Sequence, residues 1–144
     1  MSRGEILARA YLGLSFGYAE RNTKPEYALK LVQRAKTHAH GLEDEAAKAR
    51  CLADCADCEG WILYKQDEID EAIERLEDAV ALNADPEKHL HLALVYEHKA
   101  QKCEDETRAR SLSTRARTHH RHVRNMDTKD EYSQEADESL SRLK

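Results

Sequence analysis

Three cysteines lie within eight residues of one another, and thiols at such short spacing are candidate ligands for a metal ion or an iron–sulfur cluster. Cys51, Cys55 and Cys58 have the spacing C-x3-C-x2-C. Enzymes that hold an iron–sulfur cluster at this spacing place it in a loop of a β/α barrel. The chain has neither the strand patterns nor the length for that fold, so the spacing does not indicate such a cluster here.

On a helix the same three cysteines have a simpler interpretation. Offsets of four, seven and eleven residues return to nearly the same direction, so the sulfurs are predicted to share one helix face with Ile62. Because a buried thiol behaves as a small hydrophobic group, this face is predicted to pack against a neighbouring repeat. A metal site completed by His38 or His40, and redox sensing, are the alternatives.

The eight histidines fall mostly into two groups: His89, His91 and His98, and His119, His120 and His122. A zinc site needs ligands that converge at about 2.0–2.3 Å. His119 and His122 form a helical i, i+3 pair, but no cysteine or acid lies within a turn of them. A solvated basic face is therefore predicted, with no metal and no cofactor.

The composition predicts one all-α domain over residues 1–144. With 40% hydrophobic residues, 144 residues can bury one modest core. Only 5 Gly and 2 Pro, with 35% charged residues, are typical of a helical, highly solvated protein. Apolar residues recur at intervals of three and four, and no segment alternates as a strand would. No catalytic triad or phosphate-binding glycine loop is present, so the protein is predicted not to be an enzyme.

The predicted location is the cytoplasm. Glu5 and Arg9 interrupt the apolar residues of the N-terminus, which therefore does not resemble a signal peptide. No stretch has the length of a membrane span. The cysteine spacing does not form a usual disulfide framework, so the thiols are predicted to be reduced.

A pattern of small residues occurs three times along the chain. Its central copy consists of Gly60, Tyr64, Ala72, Leu76, Ala79 and Pro86. The copy before it consists of Gly13, Phe16, Ala28, Val32 and Ala35, and the copy after it of Ala93, Tyr96, Ala109, Ser113 and Ala116. From the small residue of the first helix to the alanine of the second, the copy that begins at Gly13 has three more residues than the central copy, and the copy that begins at Ala93 has four more. Longer inter-helix loops are therefore predicted in both.

The central copy resembles a tetratricopeptide repeat, in which small residues let the two helices of a pair approach closely. The resemblance implies a right-handed α-solenoid of about three helix pairs, over residues 6–40, 53–85 and 86–124. A capping helix over 128–144 would follow, opening with a capping box formed by Thr128 and Glu131.

In tetratricopeptide proteins the first helices of successive pairs line a concave groove that holds a peptide or a partner helix. The groove positions here are Asp54, Asp57, Trp61, Tyr64, Lys65, Glu87, Leu90, Leu94 and His98. This composition is acidic and aromatic. The resemblance thus predicts a scaffold or adaptor for a protein partner that carries Lys or Arg and an apolar anchor.

Charge is segregated along the chain, and this leaves two other functions open. Residues 43–106 carry seven basic against nineteen acidic side chains, whereas residues 108–124 carry six arginines and no acid. These arginines are Arg108, Arg110, Arg115, Arg117, Arg121 and Arg124. They could bind a polyanion such as a nucleic acid. Self-association as a structural subunit of a larger assembly is the third hypothesis, because three repeats are near the minimum for a stable stack.

Overall fold

The computed structural model describes residues 1–126 and 132–143, and within those ranges it is helical, with turns between the helices and no strand. The helices are α1 (Arg3–Glu20), α2 (Pro25–His40), α3 (Glu45–Lys65), α4 (Ile69–Leu82), α5 (Pro86–Lys102), α6 (Glu106–Met126) and α7 (Ser133–Arg142). The predicted all-α class is confirmed for these residues. None of these helices is long and apolar enough to cross a membrane.

Local sequence signals explain where several helices begin and end. The side chains of Ser2, Asp44 and Asp85 each accept a hydrogen bond from a backbone N–H in the first turn of the following helix. Pro25 is the first residue of α2, where its missing N–H costs nothing, and Gly41 is the residue after its end. Both of these α2 boundaries agree with the prediction from sequence.

The chain divides into two compact units, Met1–Asn83 and Ala84–Lys144. In the first unit α1 packs on α2 and on α3, α2 packs on α3, and α3 packs along α4. In the second unit α5 packs along α6, and α6 contacts α7. The single domain over 1–144 stays a prediction.

The close crossing predicted for α3 and α4 is present. A Cβ atom added to Gly60 would lie 2.7 Å from Leu76 Cγ and 3.2 Å from the carbonyl oxygen of Ala72. Carbon atoms do not approach to 2.7 Å without one of them moving, so only glycine fits between these two helices as they stand.

The corresponding position in the first pair is Ser15, and the prediction of Gly13 was wrong. Gly13 is exposed, with no atom within 4 Å of the place where its Cβ would be. Ser15 is fully buried, and its hydroxyl donates to the carbonyl oxygen of Ala28 at 2.8 Å. From Ser15 to Ala28 the chain advances 13 residues, against 12 from Gly60 to Ala72.

The predicted loop insertions are corrected in the same way. The connections within the three pairs are residues 21–24, 66–68 and 103–105. The first loop is thus one residue longer than the central one, and the third has the same length. Counted from the end of the first helix, Glu97 occupies in the third pair the place that Ser15 and Gly60 hold in the others.

The second unit has a small apolar core that includes the final helix. Leu90 of α5, Val123 of α6 and Ala136 of α7 are buried together, with Leu94 and Tyr132 packed against them. The final helix therefore covers apolar surface of the pair before it, as a capping helix would. The predicted capping box, Thr128 with Glu131, lies outside the described residues.

Candidate binding surface and histidine cluster

The groove residues predicted in the first unit all lie on α3, and two of them are largely buried. Asp57 and Trp61 are each 7% exposed, whereas Asp54, Tyr64 and Lys65 are half-buried. The indole of Trp61 lies 5.0 Å from the ring of Tyr64, and the ammonium of Lys65 lies 5.3 Å from the indole. The α3 residues thus form one aromatic cluster edged by charge.

Sequence reasoning missed the partner that holds this indole in place. Trp61 Nε1 donates to Glu20 Oε1 at 2.6 Å, which joins α3 to the end of α1. The two residues are 41 positions apart and Glu20 is exposed. Their contact depends on how α1 packs on α3, which the sequence does not show.

The α1 face that carries Glu20 has two glycines on it. Gly13, Gly17 and Glu20 are spaced at four and three residues, so they follow one another along the same side of the helix. Apart from the adjacent backbone of α1 itself, no atom of the described residues lies within 4 Å of the Cβ position of either glycine, and neither glycine has a positive φ. The backbone therefore does not require glycine here, and the two residues leave a strip of bare helix backbone leading to Glu20. We call Gly13, Gly17 and Glu20 the α1 strip.

The groove residues predicted in the second unit are mostly in contact with α7 or with the core beneath it. Glu87 Oε2 accepts a hydrogen bond from the Tyr132 hydroxyl at 3.4 Å. Leu94 packs against the core cluster, and His98 is half-buried. Leu90 is only 4% exposed and belongs to that core, which corrects its predicted place in an open groove.

Two of the predicted anion-binding arginines hold α7 to α6. Arg117 Nη1 donates to the carbonyl oxygen of Leu143 at 2.7 Å. Arg124 forms an ion pair with Asp137. These guanidinium groups are engaged within the second unit, so they are not simply presented to solvent.

The other four arginines of α6 are exposed. The guanidinium of Arg115 lies 5.8 Å above the ring of Tyr96. The guanidinium groups of Arg108, Arg110 and Arg121 make no hydrogen bond or ion pair with any residue that the structure describes. The part of the predicted anion-binding run that is available to a ligand therefore consists of these exposed side chains.

The three clustered cysteines face the interior of the first unit. All are buried, and Cys58 Sγ donates to the hydroxyl of Ser15 on α1 at 3.4 Å. Burial raises the pKa of the Cys55 thiol to about 12 and also raises the pKa of Cys51. The thiols of Cys51 and Cys55 thus stay protonated at neutral pH, and all three buried thiols pack as small apolar groups, as the sequence predicted.

A metal site at these cysteines finds no support in the geometry. His38, one of the two predicted partners, stacks on Tyr11 with 5.7 Å between ring centroids. Within the described residues, no group of three metal-ligating side chains includes a cysteine. All four thiols are free.

The histidines of the second unit form a cluster between α5 and α6. His89 Nδ1 lies 2.8 Å from His119 Nδ1, and the ring of His122 stacks on that of His89 with 4.7 Å between centroids. On the other side, the Tyr96 ring is parallel to that of His119 within 7°. We call His89, His119 and His122 the histidine cluster.

The predicted solvated basic face is corrected for most of these residues. His89 is 6% exposed and His119 is half-buried, whereas His122 is exposed. Burial, helped by the neighbouring histidines, lowers the pKa of His119 to about 4, and burial lowers the pKa of His89 as well. These two rings are therefore neutral at physiological pH. The contact is missed by sequence reasoning because its members lie on different helices, 30 residues apart.

Comparisons of the chain with protein-family models, with curated proteins and with solved structures gave no match. The resemblance to tetratricopeptide repeats therefore stays a prediction from the residues.

Proposed function

We propose that the chain is a non-enzymatic binding module that takes up a peptide or a partner helix against α1 and α3 of the first unit. The observation that carries the proposal is the hydrogen bond between Trp61 and Glu20, which places an aromatic cluster at the end of a strip of bare helix backbone. In this proposal the helix pairs form a right-handed solenoid of the tetratricopeptide type, with α7 as its cap.

Packing in the first unit supports the repeat part of the proposal. α1 contacts α3 as well as α2, so the first helices of two successive pairs are direct neighbours. A stack of helix pairs has this arrangement, and it is how such proteins align their first helices into one binding surface.

The chemistry of the surface indicates the kind of partner. Glycines without a side chain above them let another backbone approach α1 closely. Tyr64, held against the buried Trp61, supplies aromatic contact area at one end, and the carboxylate of Glu20 offers an acceptor for a basic group. A short segment with a small or apolar face followed by Lys or Arg would fit this order of features.

The obvious variant, Trp61→Ala, does not test the proposal well. The indole is 7% exposed, so its removal is expected to cost about 3–5 kcal/mol of folding stability. Gly17→Gln is a better variant because its side chain enters open space. It covers the α1 strip while raising helix propensity by up to ~1 kcal/mol.

The experiment starts from a displayed library of amphipathic basic peptides selected on the wild-type chain. Binding of the selected peptides is then measured by fluorescence anisotropy with wild type, Gly17→Gln and the control Lys30→Gln on an exposed site of α2. We expect Gly17→Gln to weaken binding by roughly tenfold or more at unchanged helical content, and Lys30→Gln to have no effect. Equal affinity for all three proteins, or no selected peptide at all, would overturn the proposal.

A second function is favoured by one observation on α6. Arg110 and Arg121 are exposed and lie eleven residues apart, which places them on the same face of the helix. If this face binds a polyanion, the protein should be retained on heparin. The double variant Arg110→Gln/Arg121→Gln should then lower the salt dependence of binding by about two charges. Identical elution of variant and wild type at low salt would eliminate this function.

A further inference from the structure

We propose that the histidine cluster is a binding site for a divalent transition-metal ion of intermediate softness, such as Zn²⁺, Ni²⁺ or Cu²⁺. The site lies in the second unit, between α5 and α6, and is independent of the peptide surface proposed for the first unit. His89 and His119 are its two fixed ligands, and His122 is its third.

The distance between the first two ligand atoms fits metal coordination. Two nitrogens bound to one ion at about 2.0–2.1 Å, with an angle of 90–110° between them, lie about 2.8–3.4 Å apart. His89 Nδ1 and His119 Nδ1 are 2.8 Å apart, at the short end of this range. The separation suits a square-planar or octahedral ion once the two rings turn from each other toward a common point, and a tetrahedral ion needs them to move apart by about half an ångström as well.

Both ring nitrogens can face a metal without any change in total charge. In the contact as it stands, one Nδ1 carries a hydrogen and donates it to the lone pair of the other. For both lone pairs to point at an ion, the donor ring has to move that hydrogen to its own Nε2. Exchange with water achieves this tautomer change, so neither ring has to gain or lose a proton overall.

The third ligand gives the ion its route to the site. His122 is exposed, and it stands one turn after His119 on the same helix, a spacing at which two imidazoles can bind one ion. Its ring is stacked on His89 with 4.7 Å between centroids, so it has to turn about its side-chain bonds to present a nitrogen. An ion can approach from solvent on the His122 side, whereas His89 is 6% exposed.

Neighbouring groups define the rest of the site. The ring of Tyr96 is parallel to that of His119 with 5.9 Å between centroids, and this contact limits rotation of the ligand ring. The guanidinium of Arg115 lies 5.8 Å above the Tyr96 ring and opposes a cation. The negative charge of the Asp85 carboxylate acts on His89 and favours a cation there. With neutral imidazoles as the donors, the donor set selects these ions over Mg²⁺ or Ca²⁺, which prefer oxygen.

The test uses the full chain without an affinity tag, in a Cys103→Ser background because that half-exposed thiol can itself bind zinc. Titration calorimetry with Zn²⁺, Ni²⁺ and Cu²⁺ is expected to give one ion per chain. His119→Phe and His89→Phe keep a ring in place and remove the ligand nitrogen. Each should weaken binding by roughly 100-fold or more, because loss of a residue that merely hydrogen-bonds to a metal ligand already costs about 10- to 100-fold.

The control is His40→Ala on the exposed end of α2, which should bind as wild type does. Because phenylalanine differs from histidine in shape and polarity and can change the packing, wild-type protein is also followed by NMR with Ni²⁺. The paramagnetic broadening should be centred on the ring signals of His89, His119 and His122. No binding of any of the three ions, equal affinity in the His119→Phe variant, or broadening centred elsewhere would each overturn the site.

Discussion

The first and second units place chemically different residues at the same point of a helix pair. Five residues before the end of the first helix, the first unit has Ser15 in one pair and Gly60 in the other, whereas the second unit has Glu97. Around Ser15 and Gly60 the helices pack closely through small side chains and carbonyl oxygens. Glu97 is buried at 5% exposure, and its carboxylate takes part in an ion pair with Arg142 and a hydrogen bond with His120 instead.

The partners of Glu97 show what this substitution does in the second unit. Glu97 Oε1 accepts a hydrogen bond from Arg142 Nε of α7 at 3.0 Å, and Oε2 lies 3.4 Å from Nε2 of the fully buried His120 on α6. One carboxylate of α5 therefore joins three helices. The same helix-pair plan is therefore held by close packing in the first unit and by charge-assisted hydrogen bonds in the second.

The largest effect is expected from removing that carboxylate. Glu97→Ala leaves His120 buried without its partner and frees Arg142, so the second unit should lose roughly 3 kcal/mol of folding stability. This is the lower end of the range for breaking a buried pair, because Arg142 stays half-exposed. Urea unfolding measures the loss, and hydrogen exchange should show it as weaker protection of α7.

An exposed ion pair between the same helices serves as the control for Glu97. Asp137→Asn removes the charged partner of Arg124. The Asp137 side chain is 48% exposed and the Arg124 side chain 57%. Such a pair contributes about 0–1 kcal/mol. If Asp137→Asn destabilised the second unit as much as Glu97→Ala does, burial would not be the reason for the importance of Glu97.

A smaller effect is expected in the first unit from adding a single methyl group. Gly60→Ala places a Cβ 2.7 Å from Leu76 Cγ and close to the Ala72 carbonyl, and such overpacking costs about 1–3 kcal/mol. The matched control is Gly13→Ala, which enters open space on α1 and should stabilise by up to ~1 kcal/mol. Thermal unfolding of both variants gives the sign directly. Equal shifts in the same direction would contradict the close crossing at Gly60.

Much of the fold could be predicted from sequence because helix formation is largely local. The three-and-four spacing of apolar residues predicted the helices, Pro25 and Gly41 bounded α2, and the small side chains around Gly60 predicted the close crossing. The alignment of the first pair on Gly13 is wrong because the crossing there does not use a glycine. A buried Ser15 with its hydroxyl bonded to Ala28 fills the same position.

The candidate surfaces were harder to predict because their members come from separate helices. His89 meets His119 only through the packing of α5 along α6, and Glu20 meets Trp61 only through the packing of α1 on α3. The composition of each helix is readable, but the rotation of one helix against the next is not. For the same reason Leu90 was assigned to a groove, although α7 contributes to the core that buries it.

The smallest effect is expected at the clustered thiols of the first unit, where the sulfurs should not react at all while the chain is folded. Burial raises the pKa of Cys55 to about 12 and raises that of Cys51, so at pH 8 the thiolate of Cys55 is about one part in 10⁴.

Iodoacetamide should therefore add one label per folded chain, at the half-exposed Cys103, and all four cysteines should react in urea. Raising the pH from 7 to 9 should not add a label at Cys55, because both pH values lie well below the raised pKa of that thiol. Mass spectrometry counts the labels, and Cys103→Ser should give none in the folded state. Labelling of Cys55 or Cys58 without denaturant would show that the first unit opens locally between α1 and α3, and that its packing is looser than the Gly60 crossing implies.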